Sequence, residues 1–161
     1  MKRTKGKEGF TLIELMIVIA VIGILAAVLI PYTFRAQDRA RETGVQNAAR
    51  AIQTGLEMYA SNRVTAPWYP ESASDITNTT VANSLASLVT PAPKNPFTGE
   101  GYLQTISPND TATHNAFILG GTATGTGHPG TIEYQTDGSS YTLILYGAQG
   151  TNQLNTIVGG H

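Results

Sequence analysis

Gly9-Phe10-Thr11-Leu12-Ile13-Glu14 runs directly into the apolar segment Leu15 to Ile30, and the layout of the remaining chain follows from it. Between Leu12 and Ile30 the only ionisable residue is Glu14. A helix of roughly 20 residues spans the ~30 Å hydrocarbon core of a bilayer, so this run is long enough to cross one. An acidic side chain costs on the order of 2.5 to 3.5 kcal/mol at the centre of a span, and less near an end. Such a carboxylate marks a function unless it only snorkels to the headgroups, and at this point both readings stay open.

The preceding residues narrow the choice. Lys2, Arg3, Lys5 and Lys7 form a basic head that stays on the cytoplasmic side by the positive-inside rule, which exports the chain beyond Ile30. A secretory signal shares that head, but its apolar region is about 7 to 15 residues long and ends at a small-residue cleavage site. This run is longer and contains an acid. Gly-Phe-Thr-Leu-Ile-Glu after a short basic leader resembles the type III signal of type IV pilins and type II secretion pseudopilins, and the likeness covers Lys7 to about Pro31 closely. The resemblance implies that a membrane-embedded prepilin peptidase cuts between Gly9 and Phe10, and that the freed amine of Phe10 is methylated. It also implies a homopolymer raised from the inner membrane by an assembly platform with a cytoplasmic ATPase motor.

The cut makes physical sense. Gly9 carries no side chain, so the peptide can lie extended in a tight protease groove. Cleavage frees a cationic amine on Phe10. Paired with the Glu14 carboxylate of a neighbouring subunit, it offsets a desolvation penalty of several kcal/mol per ion. By the same resemblance, Glu14 is expected to set subunit register during assembly.

Composition sets the remaining bounds. The chain has 161 residues, 41% of them hydrophobic, with net charge −1, which suits one domain plus a span. Loss of residues 1–9 leaves six basic residues against ten acidic ones, net −4, so nucleic acid is not indicated as a partner. There is no cysteine, which excludes a disulfide, a cysteine-zinc site and a thiol nucleophile.

Within the span, Gly23 and Ala27 form a small-xxx-small pair that permits close helix approach. Pro31 removes a donor and crowds the carbonyl of Ala27, so it either kinks the helix or ends it. Continuation is favoured. From Tyr32 to Asn62 there is no further proline, and Val45, Ala48, Ile52, Leu56 and Tyr59 recur at helical spacing as one core face. Gly44 and Gly55 weaken this half by about 1 kcal/mol each relative to alanine.

Ala66-Pro67-Trp68-Tyr69-Pro70 turns the chain out of the helix, with its aromatics closing a small core or forming an adhesion patch. Thr80 to Val89 reads as a short helix capped by Asn78 or Thr79. Lys94-Asn95-Pro96-Phe97-Thr98-Gly99 with Tyr102 resembles the connecting loop of major pseudopilins and related pilins. Ala116 to Leu119, Thr131 to Thr136, Tyr141 to Tyr146 and Leu154 to Val158 read as strands, with Asp137-Gly138 as a hairpin turn. The expected class is α+β: a long N-terminal helix, its first half transmembrane, packed on a small antiparallel sheet. The expected organisation is a leader over 1–9, a polymerisation half-helix over 10–31, an amphipathic half-helix over 32–62 and a globular domain over 63–161.

Catalytic signals are weak. Gly125 to Gly130 fits G-x-G-x-x-G, but Pro129 and a strand follow where the fingerprint needs a helix. His114, His128 and His161 lack zinc-ligand spacing, and the serines lack a nucleophile elbow. No cofactor or metal is expected, save a structural calcium if Asn109, Asp110 and Asp137 converge, as the resemblance allows. Asn78-Thr79-Thr80 and Asn109-Asp110-Thr111 match the glycosylation triplet. The expected function is therefore assembly, not catalysis: a single-pass inner-membrane subunit, bathed in lipid until it enters a periplasmic or surface filament. A pilin comes first and a pseudopilin second. A membrane-anchored exported enzyme or binding module is the remote third.

Overall fold

The structure is a computed structural model that describes residues 10–77, 83–103, 117–119 and 128–160. It divides into two compact units, one up to Gln37 and one from Asp38 onward. Helix α1 covers Leu12–Ser61 and runs through Pro31, so the reading in which proline ends the helix is overturned. Thr33 Oγ1 donates to the Ile30 carbonyl at 2.8 Å, beside the position where proline lacks its donor. At the other end Asn62 N–H donates to the Met58 carbonyl at 3.2 Å, and the chain turns away before Pro67.

In the unit from Asp38 onward, α1 supplies one wall of the core. Val45, Ala48, Ile52, Leu56 and Tyr59 are all buried, as their spacing predicts. The two glycines on this stretch are contact points, not only weak points. A Cβ on Gly44 would lie 2.6 Å from Pro96 Cγ, and one on Gly55 would overlap the Val89 side chain. Their missing side chains let the 85–97 segment lie directly on the helix backbone, a gain that propensity alone does not register.

Four strands face this wall in the order β1-β2-β3-β4: β1 Phe117–Leu119, β2 Ile132–Thr136, β3 Ser140–Tyr146 and β4 Gln153–Gly160. Strands β2, β3 and β4 form the expected antiparallel meander, with Ile132 opposite Leu145 and Tyr134 opposite Leu143. Strand β1 differs from the expected antiparallel set because it pairs with β2 in parallel. The connection from 120 to 131 is about the dozen residues that a parallel pair needs, whereas a hairpin needs only a tight turn. An irregularity between Leu145 and Tyr146 gives β4 one extra residue, Leu154, whose side chain packs against the core. The Tyr141 ring lies over Gly159 on the neighbouring strand, where a Cβ would come within 2.5 Å of it.

The β2–β3 turn is built as its sequence predicts. Gly138 takes φ 81°, and Asp137 Oδ1 accepts from Ser139 N–H at 2.9 Å and Ser140 N–H at 2.6 Å. These bonds, to Ser140 first, hold the exposed Asp137 carboxyl below its ordinary range. The 66–70 segment clasps the same turn, with Trp68 N–H donating to the Gly138 carbonyl at 2.7 Å. Tyr69 is fully buried and Trp68 packs against the core, so these aromatics close the domain instead of forming an adhesion patch. Burial holds the Tyr134 hydroxyl well above the phenol range, which keeps it a donor to the Pro70 carbonyl at 3.0 Å.

Two short helices complete the path. Helix α2, Ala73–Thr77, was not anticipated, and Ser72 Oγ caps it through Asp75 N–H at 3.2 Å. Helix α3, Leu85–Leu88, starts later than expected and is capped by Ser84, not by Asn78 or Thr79, which lie outside the described residues with Thr80 to Ala82. In the 93–102 loop Asn95 is buried with both its amide nitrogen and its amide oxygen bonded. Its Nδ2 donates to the Pro129 carbonyl at 2.9 Å, and Phe97 N–H donates to its Oδ1 at 2.9 Å. Tyr102 OH fixes the same corner by donating to the Gly130 carbonyl at 2.6 Å.

Two stability outcomes follow from this packing. Gly55→Ala gains about 1 kcal/mol of helix propensity but overpacks Val89 and Leu85, which typically costs about 1 to 3 kcal/mol. Urea unfolding should show a net loss, and a gain would refute the contact. Because Asp137 titrates lower folded than unfolded, its contribution is present above the ordinary carboxylate pKa and is lost as pH falls through the folded value. The melting difference between wild type and Asp137→Ala should therefore be full near neutrality and shrink in acid.

Candidate assembly site at the head of the helix

The first turn of α1 would leave its backbone donors unsatisfied unless side chains met them. Thr11 and Glu14 do so reciprocally. Glu14 Oε2 accepts from Thr11 N–H at 2.9 Å and from Thr11 Oγ1 at 2.8 Å, and Thr11 Oγ1 accepts from Glu14 N–H at 3.3 Å. This is the T-x-x-E capping box, whose signal stands in the sequence beside the more conspicuous lone charge. It gives Glu14 a role inside its own chain. Both bonds that the carboxylate accepts fall on Oε2, and Oε1 has no partner among the described residues.

Phe10 stands in front of the box and is 88% exposed, while Gly9 lies outside the described residues. Behind it the apolar side chains from Leu12 to Ile30 point outward without cover. By length and composition this stretch of α1 can cross a membrane, and none of it is buried among the described residues. Gly23 has nothing within 4 Å of its would-be Cβ, and Ala27, one turn on, is exposed. Pro31 sits inside the helix. Of the residues singled out from the sequence, Phe10 and Glu14 share the helix head, while Gly23, Ala27 and Pro31 are spread along the same uncovered rod.

The other candidate sites fare differently. His128, Pro129 and Gly130 turn into strand β2, so no helix N-terminus follows the glycine-rich pattern, whose first three residues lie outside the described ones. Asn109 and Asp110 also lie outside them, as do His114 and His161, and Asp137 Oδ1 is committed to its hairpin. Among the described residues no group of three or more His, Cys, Asp or Glu could hold a metal ion.

Comparison with known proteins points the same way as the helix head. Residues 4–30 match the family model described as the prokaryotic N-terminal methylation motif. The chain is 30% identical over 102 residues to type II secretion system core protein G of Pseudomonas aeruginosa, covering 63% of this chain and 66% of that one. Against the protein of the same name from Vibrio cholerae it is 29% identical over 136 residues, 74% of this chain and 84% of the other. The type IV wide pilus major component PilA4 of Thermus thermophilus is 61% identical over 55 residues, 34% of this chain and 42% of that protein. No solved structure matches. With a methylation motif on the capped, lipid-length head of α1 and an α+β domain behind it, the chain belongs to the superfamily of type IV pilins and type II secretion pseudopilins.

Proposed function

We propose that the chain is the structural subunit of a type IV pilus-like filament, cut by a prepilin peptidase between Gly9 and Phe10 and methylated on the new Phe10 amine. The observation that carries this reading is the uncovered apolar surface of α1 from Leu12 to Ile30, headed by the capped Glu14 carboxylate. Before assembly that surface lies in lipid, with the unit from Asp38 onward exported. After assembly it lies against other copies, with Gly23 and Ala27 admitting close helix approach and Pro31 adapting the rod. Lipid and protein are about equally apolar, so the exchange supplies little drive, and the platform with its ATPase motor supplies the work of extraction. The chain's role is assembly, with no reaction of its own.

Glu14 serves two steps in this account. In the isolated subunit Oε2 closes the capping box, and Oε1 is left for the Phe10 ammonium of the neighbour. A second reading, the secretion pseudopilin, draws support from the length of the likeness. The secretion proteins align over 63% and 74% of the chain, whereas PilA4 aligns over 34%. Sheared surface filaments under native expression distinguish a pilin, and their absence with a working secretion system distinguishes a pseudopilin.

Glu14→Gln keeps an acceptor for Thr11 but removes the charge, and Glu14→Ala removes both. Removing one side of a buried ion pair costs about 3 to 5 kcal/mol, so both variants should be inserted and processed yet yield about a hundredfold fewer filaments or worse. Wild-type yield from Glu14→Gln would mean that capping, not charge, is what assembly requires of this residue.

A further inference from the structure

Beyond Asp38 the solvent side of α1 carries Arg39, Arg50 and Glu57 in one line, all exposed. Arg50 follows Arg39 by about three helical turns, and Glu57 follows Arg50 by about two. The line therefore runs from positive to negative along the helix. At the negative end Glu57 is held at its place on the line, accepting from Tyr141 OH at 2.7 Å and from Tyr69 OH at 3.4 Å. The cation at that end, Arg63, is engaged by Tyr59, donating to its OH at 2.6 Å with the guanidinium 5.2 Å from the ring centroid. Near the positive end, Asp38 and Glu42 are half-buried, and Glu42 accepts from Ala148 N–H at 3.2 Å. No ion pair joins Arg39, Arg50 or Glu57 to an opposite charge among the described residues.

We propose that this poled line is an interface between copies of the chain, in which Arg39 and Arg50 of one copy face Glu57 of the next. The proposal rests on the filament reading and adds to it what sets the axial stagger. Two parallel copies in register would set like charges side by side, which is repulsive. A copy displaced along the axis sets opposite charges together. At 1.5 Å per residue, a stagger of about 10 Å brings Arg50 level with the neighbour's Glu57, and one of about 27 Å brings Arg39 there. Such a contact joins two different patches, so it does not close on itself and propagates as an open filament.

Charge reversal in the full-length chain tests it. Arg39→Glu with Arg50→Glu should lower filament yield by about tenfold, the effect of roughly 1.4 kcal/mol. Glu57→Lys should do the same, and all three reversals together should restore assembly. Thermal unfolding of each purified chain in detergent separates a folding loss from an interface loss. If Glu57→Lys unfolds the domain by losing the bonds from Tyr141 OH at 2.7 Å and Tyr69 OH at 3.4 Å, Glu57→Gln, which keeps an acceptor for both but removes the charge, carries that arm. Folded reversals that assemble like wild type, or a combined variant no better than its parents, would overturn the interface and leave the filament reading standing. Failure of the wild-type chain to polymerise at all would bring down both.

Discussion

The apolar surface of α1 between Leu12 and Ile30 has nothing among the described residues to cover it, and the rest of the structure answers to that constraint. Leu12, Ile24 and Val28 are 77%, 68% and 71% exposed. Soluble monomers rarely leave more than a few hundred Å² of contiguous apolar surface to water. The surface needs lipid or other protein around it, and the two are nearly equivalent as covers. Near-equivalence is useful in a subunit that must leave one for the other. It also means that polar groups, not the aliphatic ones, decide when and in what register the transfer occurs. Among the described residues of the helix head, Glu14 is the carboxylate that the proposed assembly would use, and the Thr11 capping box holds it in the isolated chain.

From Asp38 onward the structure carries its own core. One face of α1, strands β2 to β4 and the buried tyrosines enclose it without a disulfide. The helix backbone is approached closely where side chains are absent, at Gly44 by Pro96 and at Gly55 by Val89. Loops 66–70 and 93–102 are then tied to the sheet through backbone carbonyls, those of Gly138 and Pro129 among them. A single helix thus serves two environments. Its first part is bare and suited to exchange, while its later part is bound into a domain that bears the charged line from Arg39 to Glu57.

Much of this was legible in the residues. The core face from Val45 to Tyr59 follows from spacing because burial on a helix repeats with its turn. The β2–β3 hairpin follows from Asp137-Gly138 because few residues other than glycine accept positive φ there. What was missed has physical reasons too. Helix α2 is too short to show a periodicity, and its one local signal is Ser72 three residues before Asp75. The parallel pairing of β1 is a matter of chain path, to which side-chain alternation is blind. Gly44 and Gly55 read as defects until the segments lying on them are seen. Thr11 was visible as a cap but was overshadowed by the charge next to it.

The central claim is that the working subunit begins with a cationic, methylated Phe10 placed to meet the Glu14 of another copy. N-terminal sequencing combined with intact mass of the chain isolated from its native membrane or filament tests this most directly. The account predicts a single product starting at Phe10 with one added methyl group. A product that retains residues 1–9, or one that starts beyond Ile30, would contradict it.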